Sequence, residues 1–217
     1  MESTADDADA PQNSNESPEP DSPEAINELS IALMVEIGRG DHKAFARLVE
    51  IHQHAVVGTV AKMLGNAADA EDIAQQVFVR VWKSAARYQP SAKFTTWLFT
   101  ITRNLVFNET RRRQRKPVVS LEEREEEHHV PTTIDDSMTP DESTLHAELE
   151  KAVDAAIQQL PEKQRMAVVL RRYEEMPYEE IGAILKLSLS AVKSLLFRAR
   201  AQLKENLKSY LEPEGEN

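Results

Sequence analysis

The chain has 217 residues, a formal net charge of −11, six glycines and no cysteine. That length accommodates one ordinary domain or two small ones, and the lack of cysteine excludes disulfide staples, thiolate nucleophiles and cysteine-ligated zinc. No apolar run approaches the roughly 18–20 residues that span a bilayer, and the opening MESTADDADA lacks the basic start and apolar stretch of a secretory signal, so a cytoplasmic protein without membrane insertion is expected.

The acidity is not spread evenly. Residues 1–30 hold nine acids and no lysine or arginine, whereas residues 31–116 carry fourteen basic and seven acidic residues. Residues 117–143 hold nine acids against Arg124 alone, and residues 144–217 are nearly balanced. Net charge therefore describes segments, not one surface. The acidic segments are rich in Pro, Ser, Asp and Glu and cannot bury enough apolar surface to offset the ordering of their backbone. The expected layout is a disordered extension over 1–25, a helical domain over 26–116, an acidic linker over 117–143 with a brief helical turn at 121–127, a second helical domain over 144–211 and a disordered tail over 212–217. The fold class is all-α: two small helical domains joined by a flexible acidic linker, the C-terminal one carrying a helix-turn-helix.

In the first domain Asp41 is placed to cap a helix running to Gly65, with Phe45, Leu48, Val49, His52, Val56 and Val60 near one face. Gly65 and Asn66 break it. The stretch DAEDIAQQVFVRVWKSAARY then turns Ile73, Val77, Val81 and the ring of Trp82 or Phe78 inward. After the loop QPSAK, Phe94, Trp97, Leu98, Ile101 and Leu105 recur at helical spacing along a helix ending in RRRQRK. Arg103, Arg111, Arg112, Arg113, Arg115 and Lys116 make a positive strip suited to phosphates. Tyr88, Phe94, Trp97 and Phe107 lie near it in sequence, and aromatics beside a basic strip stack on unpaired bases; core packing is the competing role, the one favoured for Trp97.

In the second domain Leu145, Leu149, Val153, Ile157 and Leu160 form an apolar stripe, and Pro161 opens a further helix where its missing N–H costs nothing. PYEEIGAILKLSLSAVKSLLFRAR then reads as two short helices with a tight corner. Ile181, Ile184 and Leu185 line the first, Gly182 stands where the two must cross closely, and Leu187 plugs the corner. Ser188 or Ser190 caps the second helix, whose buried stripe is Val192, Leu196, Ala199 and Leu203. Ser190, Ala191, Lys193, Ser194, Phe197 and Arg198 are left on or near its outer faces, the part of a helix-turn-helix that enters the major groove. The corner position where glycine is usual holds Lys186, which must adopt an unusual backbone angle or use a different turn.

Other chemistry is thin. His52 and His54 point to different helix faces and His128–His129 sit in the linker, so no ligand grouping for a metal is expected. There is no glycine-rich phosphate loop and no nucleophile–base signature. Neither cofactor nor catalytic residue is expected, and the chain does not read as an enzyme.

DAEDIAQQVFVRVW, FTTWLFTITRN and the arginine run resemble the second conserved region of bacterial sigma factors, and LPEKQRMAVVLRRYEEMPYEEIGAILKLSLSAVKSLLFRAR resembles their fourth. The two-domain layout resembles the extracytoplasmic-function group of the sigma-70 superfamily, over residues from about 30 to 210. The resemblance implies a subunit that binds core RNA polymerase through the β′ clamp helices and the β flap, recognises promoter DNA, is monomeric when free and is held by an anti-sigma factor. It implies docking on the clamp helices through Asp72, Ile73, Gln75, Gln76 and Phe78. For −10 DNA it points to Tyr88, Lys93, Phe94, Trp97, Arg103, Asn104, Arg111, Arg112, Arg113 and Arg115, the loop 88–94 receiving a flipped base bordered by Asn104. For −35 DNA it points to Ser188, Ser190, Ala191, Lys193, Ser194, Phe197 and Arg198. The chain departs from the family pattern at Gln76, where glutamate is usual, at Leu98, where housekeeping members have a second tryptophan, and at Leu195, where arginine is common. The acids Glu122, Glu123, Glu125, Glu126 and Glu127 suit a linker threading a positively lined channel, or a plain spacer. The rival reading is an autonomous helix-turn-helix regulator that acts without polymerase; an adaptor without DNA function leaves both the arginine strip and the reader helix unexplained.

Overall fold

The computed structural model of the protein describes residues 22–115 and 140–211, and the described residues are helical and carry no strand. The extension 1–21, the linker residues 116–139 with Lys116 and the acids 122–127, and the tail 212–217 lie outside them, as do the side chain of Leu145 and the histidine pair 128–129. Among the described residues four helices precede the linker, α1 (Pro23–Gly38), α2 (His42–Leu64), α3 (Ala67–Ser84) and α4 (Phe94–Arg115), with a 3₁₀ turn at Ala85–Arg87. Five follow it: α5 (Pro140–Gln158), α6 (Glu162–Arg172), α7 (Tyr178–Leu185), α8 (Leu189–Asn206) and the one-turn α9 (Lys208–Leu211).

Local chemistry sets these boundaries. Ser22 caps α1 by accepting from the Ala25 amide, so order begins before residue 26, inside a stretch whose composition suggests disorder. Asp41 accepts from Lys43 and Ala44 at the start of α2, and those two amides hold its carboxyl below the usual range. Gly65 ends α2 in the left-handed conformation at φ 70°, and Asn66 at once caps α3. The start of α4 is capped from a distance: the Phe94 amide donates to Asn27 Oδ1 of α1 at 2.8 Å.

The first core gathers Met34, Leu48, Val56, Val60, Val77, Val81, Phe94 and Leu98, all essentially sealed from solvent. His52 is enclosed with them. Its Nε2 lies 2.8 Å from Ser30 Oγ, and Ser30 already donates its proton to the Ile26 carbonyl. The imidazole must therefore donate to the serine, which makes it the neutral Nε2–H tautomer. Burial holds its pKa down at about 4. His54 faces solvent, on another side of the same helix.

In the second unit Ile157, Leu160, Met166, Leu170, Ile181, Ile184, Val192 and Leu196 are buried, and they belong to the same apolar cluster as the apolar residues just named. The expected stripe on α5 is only half used. Ile157 and Leu160 are buried and Val153 partly so, but Leu149 is 43% exposed, because α5 meets the rest of the protein only through its C-terminal part.

The two helical units pack against each other. The end of α2 meets α5 and α6, and α4 meets α7. The last carbonyls of a helix lack intrahelical partners, and here the second unit supplies them: Gln158 Nε2 donates to the Lys62 carbonyl and Arg165 donates to the Met63 carbonyl, each at 2.6 Å. Thr59 donates to Glu174, Lys62 pairs with Asp154 at 2.8 Å, and the Lys62 ammonium lies 4.4 Å from the Tyr173 ring centre. Glu180 closes the other contact, pairing with Lys93 at 3.1 Å and accepting from Thr96.

Candidate nucleic-acid interface

Three surfaces carry the residues singled out in the sequence. On α3 the exposed face is Asp72, Gln75, Gln76 and Val79, spaced three and four apart on one stripe. Ile73 and Phe78 do not belong to it. Both are 7% exposed and face α2 and α4, since the helical period that exposes positions 72, 75, 76 and 79 turns 73, 77 and 78 toward the core. Val79, 48% exposed at the C-terminal end of that stripe, is its one large apolar side chain, and an isolated valine within an apolar periodic run carries no sequence signal of exposure.

The second surface is α4 and the loop before it. Phe94 is fully enclosed between His52, Tyr88 and Trp97, with ring centres 4.9, 6.2 and 5.7 Å away, so it supports the site and offers no surface. Trp97 is half-buried and meets Tyr88 edge to face at 4.9 Å. Counting at 100° per residue, Trp97, Asn104, Asn108, Arg111 and Arg115 fall on one line along the helix. Asn108, Arg111, Arg112 and Arg115 together line a shallow depression on this face. Asn108 was not singled out in the sequence; its place on the line follows from spacing alone.

The arginines are not equivalent. Arg112 and Arg113 both bind Glu109, and Arg113 also reaches Asp69 of α3 at 2.6 Å. Arg112, then Arg113, holds the Glu109 carboxyl down at about 2, so it stays charged and these two cations are partly neutralised within the protein. Arg111 and Arg115 are exposed and Arg103 lies over the Phe107 ring at 5.6 Å. Two nitrogens of Arg103 and the Tyr88 hydroxyl are buried and find no partner among the described residues. The Lys93 ammonium is engaged by Glu180.

The third surface is the helix-turn-helix. Lys186 does take the left-handed conformation, φ 56° and ψ 50°, ending α7. The Leu187 amide then donates to the Gly182 carbonyl at 2.9 Å, closing the corner. A β-carbon at Gly182 would stand 2.8 Å from the Leu187 carbonyl oxygen, closer than any side chain tolerates. Ser188 caps α8 by accepting from the Ala191 amide, and Ser190 contacts the Ser188 hydroxyl. With Val192, Leu196 and Ala199 buried, Lys193, Ser194, Phe197 and Arg198 face outward, joined by Tyr178 and Arg200 around a shallow concavity. Phe197 is 72% exposed, a large ring with no role in the core. Among the described residues Arg198 hydrogen-bonds its own helix, at the Ser194 carbonyl, and forms no salt bridge with Glu174 or Glu175. Arg200, whose hydrogen bond is to the Tyr178 hydroxyl, is a further cation on this side.

The family model described as Sigma-70 region 2 matches residues 48–116, and that described as Sigma-70, region 4 matches residues 150–203. RNA polymerase sigma-H factor of Pseudomonas aeruginosa is 33% identical, over 82% of this chain and 94% of its own. ECF RNA polymerase sigma factor SigW of Bacillus subtilis is 32% identical over 80% and 94%. The chain belongs to the sigma-70 family, in its extracytoplasmic-function group. Among solved structures, this sigma factor resembles CnrH, determined with the cytosolic domain of CnrY, at a TM-score of 0.62 and 24% identity over 83% of this chain and 98% of that one. It also resembles RpoE of Bartonella quintana, determined with the anti-sigma factor NepR, at 0.59 and 23% over 76% and 98%. Both likenesses are of fold. The first matched region contains α3 and α4 and the second contains α6, α7 and all but the last turn of α8, so each surface described above falls within a region of the family. No helix among the described residues is long and apolar enough to cross a membrane.

Proposed function

We propose that this sigma factor is a non-catalytic, cytoplasmic subunit that directs core RNA polymerase to promoters through two separate DNA readers. The observation that carries the reading is the pairing, in one chain, of the Asn104–Asn108–Arg111–Arg115 line on α4 with the outward face of α8. The α4 line receives the −10 strand: Arg111 and Arg115 take phosphates, Trp97 and Tyr88 give the aromatic edge on which an unstacked base settles, and Arg103 and the Tyr88 hydroxyl have donors to spare. On α8, Ser190, Lys193, Ser194 and Phe197 enter the major groove of the −35 element while Arg198 holds a phosphate. The stripe Asp72, Gln75, Gln76 and Val79 docks on the β′ clamp helices, the second unit meets the β flap, and an anti-sigma factor competes for these faces. Each reader is weak alone; polymerase fixes their spacing and converts two weak contacts into one specific one.

Runoff transcription with core polymerase on selected promoters tests this. Transcripts should require the added chain, and Arg111→Ala with Arg115→Ala should cut output at least tenfold while the protein stays folded. Tight, specific binding to a single operator without polymerase, and no runoff product, would instead establish an autonomous regulator.

A further inference from the structure

The aromatic corner proposed to take an unstacked base is not held by α4 and its loop alone. Phe94 is its hub: the ring is wholly enclosed, Tyr88 and Trp97 lean on it, and those two meet edge to face at 4.9 Å. Phe94 is also the first residue of α4, where the leading amides of a helix lack intrahelical partners. The preceding residue, Lys93, has a side chain that only donates, so it cannot cap them. The Phe94 amide instead finds its acceptor on α1, at Asn27 Oδ1, 2.8 Å away and 67 positions earlier in the chain. α1 bears on the same residue a second time. Ser30 shares a face with Asn27 and accepts from His52, whose ring lies 4.9 Å from that of Phe94. Two polar side chains on the inner face of α1 thus converge on Phe94, one at its amide and one, through His52, at its ring. α1 itself lies before residues 48–116, the part of the chain matched by the region 2 family model.

We infer that Asn27 is a positioning residue for −10 recognition: by holding the first amide of α4 it fixes Phe94, and through Phe94 the Tyr88 and Trp97 rings on which the base settles. The inference rests on the promoter-reading function proposed above. Trp97 lies in the first turn of α4, and its amide makes the opening bond of that helix, to the Lys93 carbonyl at 3.3 Å. Helix ends are the parts that open most readily. Without the acceptor from α1 this turn frays and the Trp97 ring loses its fixed angle. A base stacks in one register only on a ring already in place, because a ring ordered on arrival gives up rotamer freedom that the contact must then offset. Base preference therefore depends on Asn27, although Asn27 acts only through Phe94. A cap that served folding alone would lower stability and leave base preference untouched.

The test uses holoenzyme assembled from core polymerase and the full chain, on a promoter selected from a randomised library with the wild-type protein. Asn27→Ala should narrow the ranking of −10 variants at least fivefold and leave the ranking of −35 variants as it is. Asn27→Asp keeps an acceptor for the Phe94 amide, at a helix N-terminus that favours negative charge, and should restore most of the −10 ranking. The chain has two tryptophans, so Trp82→Phe leaves Trp97 as the one reporter, and adding Asn27→Ala should lower its emission anisotropy in the free protein. Amide exchange on the wild-type chain needs no variant: the Phe94 amide should be protected. The inference is overturned by a folded Asn27→Ala protein that melts earlier yet ranks −10 variants as the wild type does, by equal narrowing of both rankings, or by an unprotected Phe94 amide. Wild-type runoff separates the two ideas: product from the wild type together with any of these results leaves the sigma function standing and removes Asn27 from it.

Discussion

Gly182 and His52 show what single residues contribute. At Gly182 the corner of the helix-turn-helix runs so close that a methyl would meet the Leu187 carbonyl at 2.8 Å, and backbone cannot rotate away as a side chain tip can. Gly182→Ala should cost about 1–3 kcal/mol, the usual range for overpacking, read as a lower denaturation midpoint with an unchanged slope. His52 acts through its proton. Its ordinary value is 6.5 and its folded value about 4, depressed by burial. The unfolded chain therefore takes up the proton first as pH falls. The neutral ring's contribution is complete above pH 6.5 and is lost progressively down to about pH 4, up to about 3 kcal/mol in all. Denaturation at both ends of that window should show the loss in the wild-type protein and a smaller one in His52→Leu, which isolates the histidine from the carboxylates. The need for Gly182 was legible in sequence because the corner is local. The tautomer of His52 was not, because it depends on Ser30 of another helix.

Helices were legible where their ends are chemical. Asp41, Gly65 and Ser188 act on amides or carbonyls within a few residues, so spacing alone finds them. The start of α1 escaped because Ser22 and Pro23 belong to a stretch whose composition reads as disordered, while a serine cap and a first-turn proline are what a helix start uses. The arginine run on α4 was legible as charge but not as function, since Glu109 and Asp69 claim Arg112 and Arg113 while Arg111 and Arg115 stay exposed. On α8, Lys193 lies near the N-terminal end and Arg198 more than a turn later, hydrogen-bonded to the Ser194 carbonyl of its own helix. Lys193→Ala should change the ranking of −35 variants, with about 1–3 kcal/mol of discrimination lost at one position. Arg198→Ala should weaken all variants alike and reduce the salt slope of binding by about one. Transcription from a panel of −35 variants, with salt titrations of binding, distinguishes the two.

At the scale of the whole molecule, the contact between units is what the sequence concealed. Thr59 and Glu174 are 115 positions apart, and nothing in either one's surroundings announces the other. Arg165 is the residue on which this contact converges. Its guanidinium donates to the Met63 carbonyl at the end of α2, and within its own unit to Gln158 and to the Leu160 carbonyl. A cation at a helix C-terminus also complements the partial negative charge there. The planar fork serves several acceptors at once, which a lysine ammonium cannot match. Arg165→Lys should therefore fail to rescue what Arg165→Ala loses. Hydrogen bonds to charged groups contribute about 1.5–3 kcal/mol each, less the cost of burying the guanidinium. A net loss of about 2 kcal/mol is expected in both variants, seen as a lower melting temperature for the full chain. Because the Met63 bond joins the units and the others lie within one, amide exchange should quicken at the end of α2 as well as around Leu160. Protection unchanged at Met63 and Leu64 in a folded Arg165→Ala protein would show that α2 is not capped from the second unit in solution.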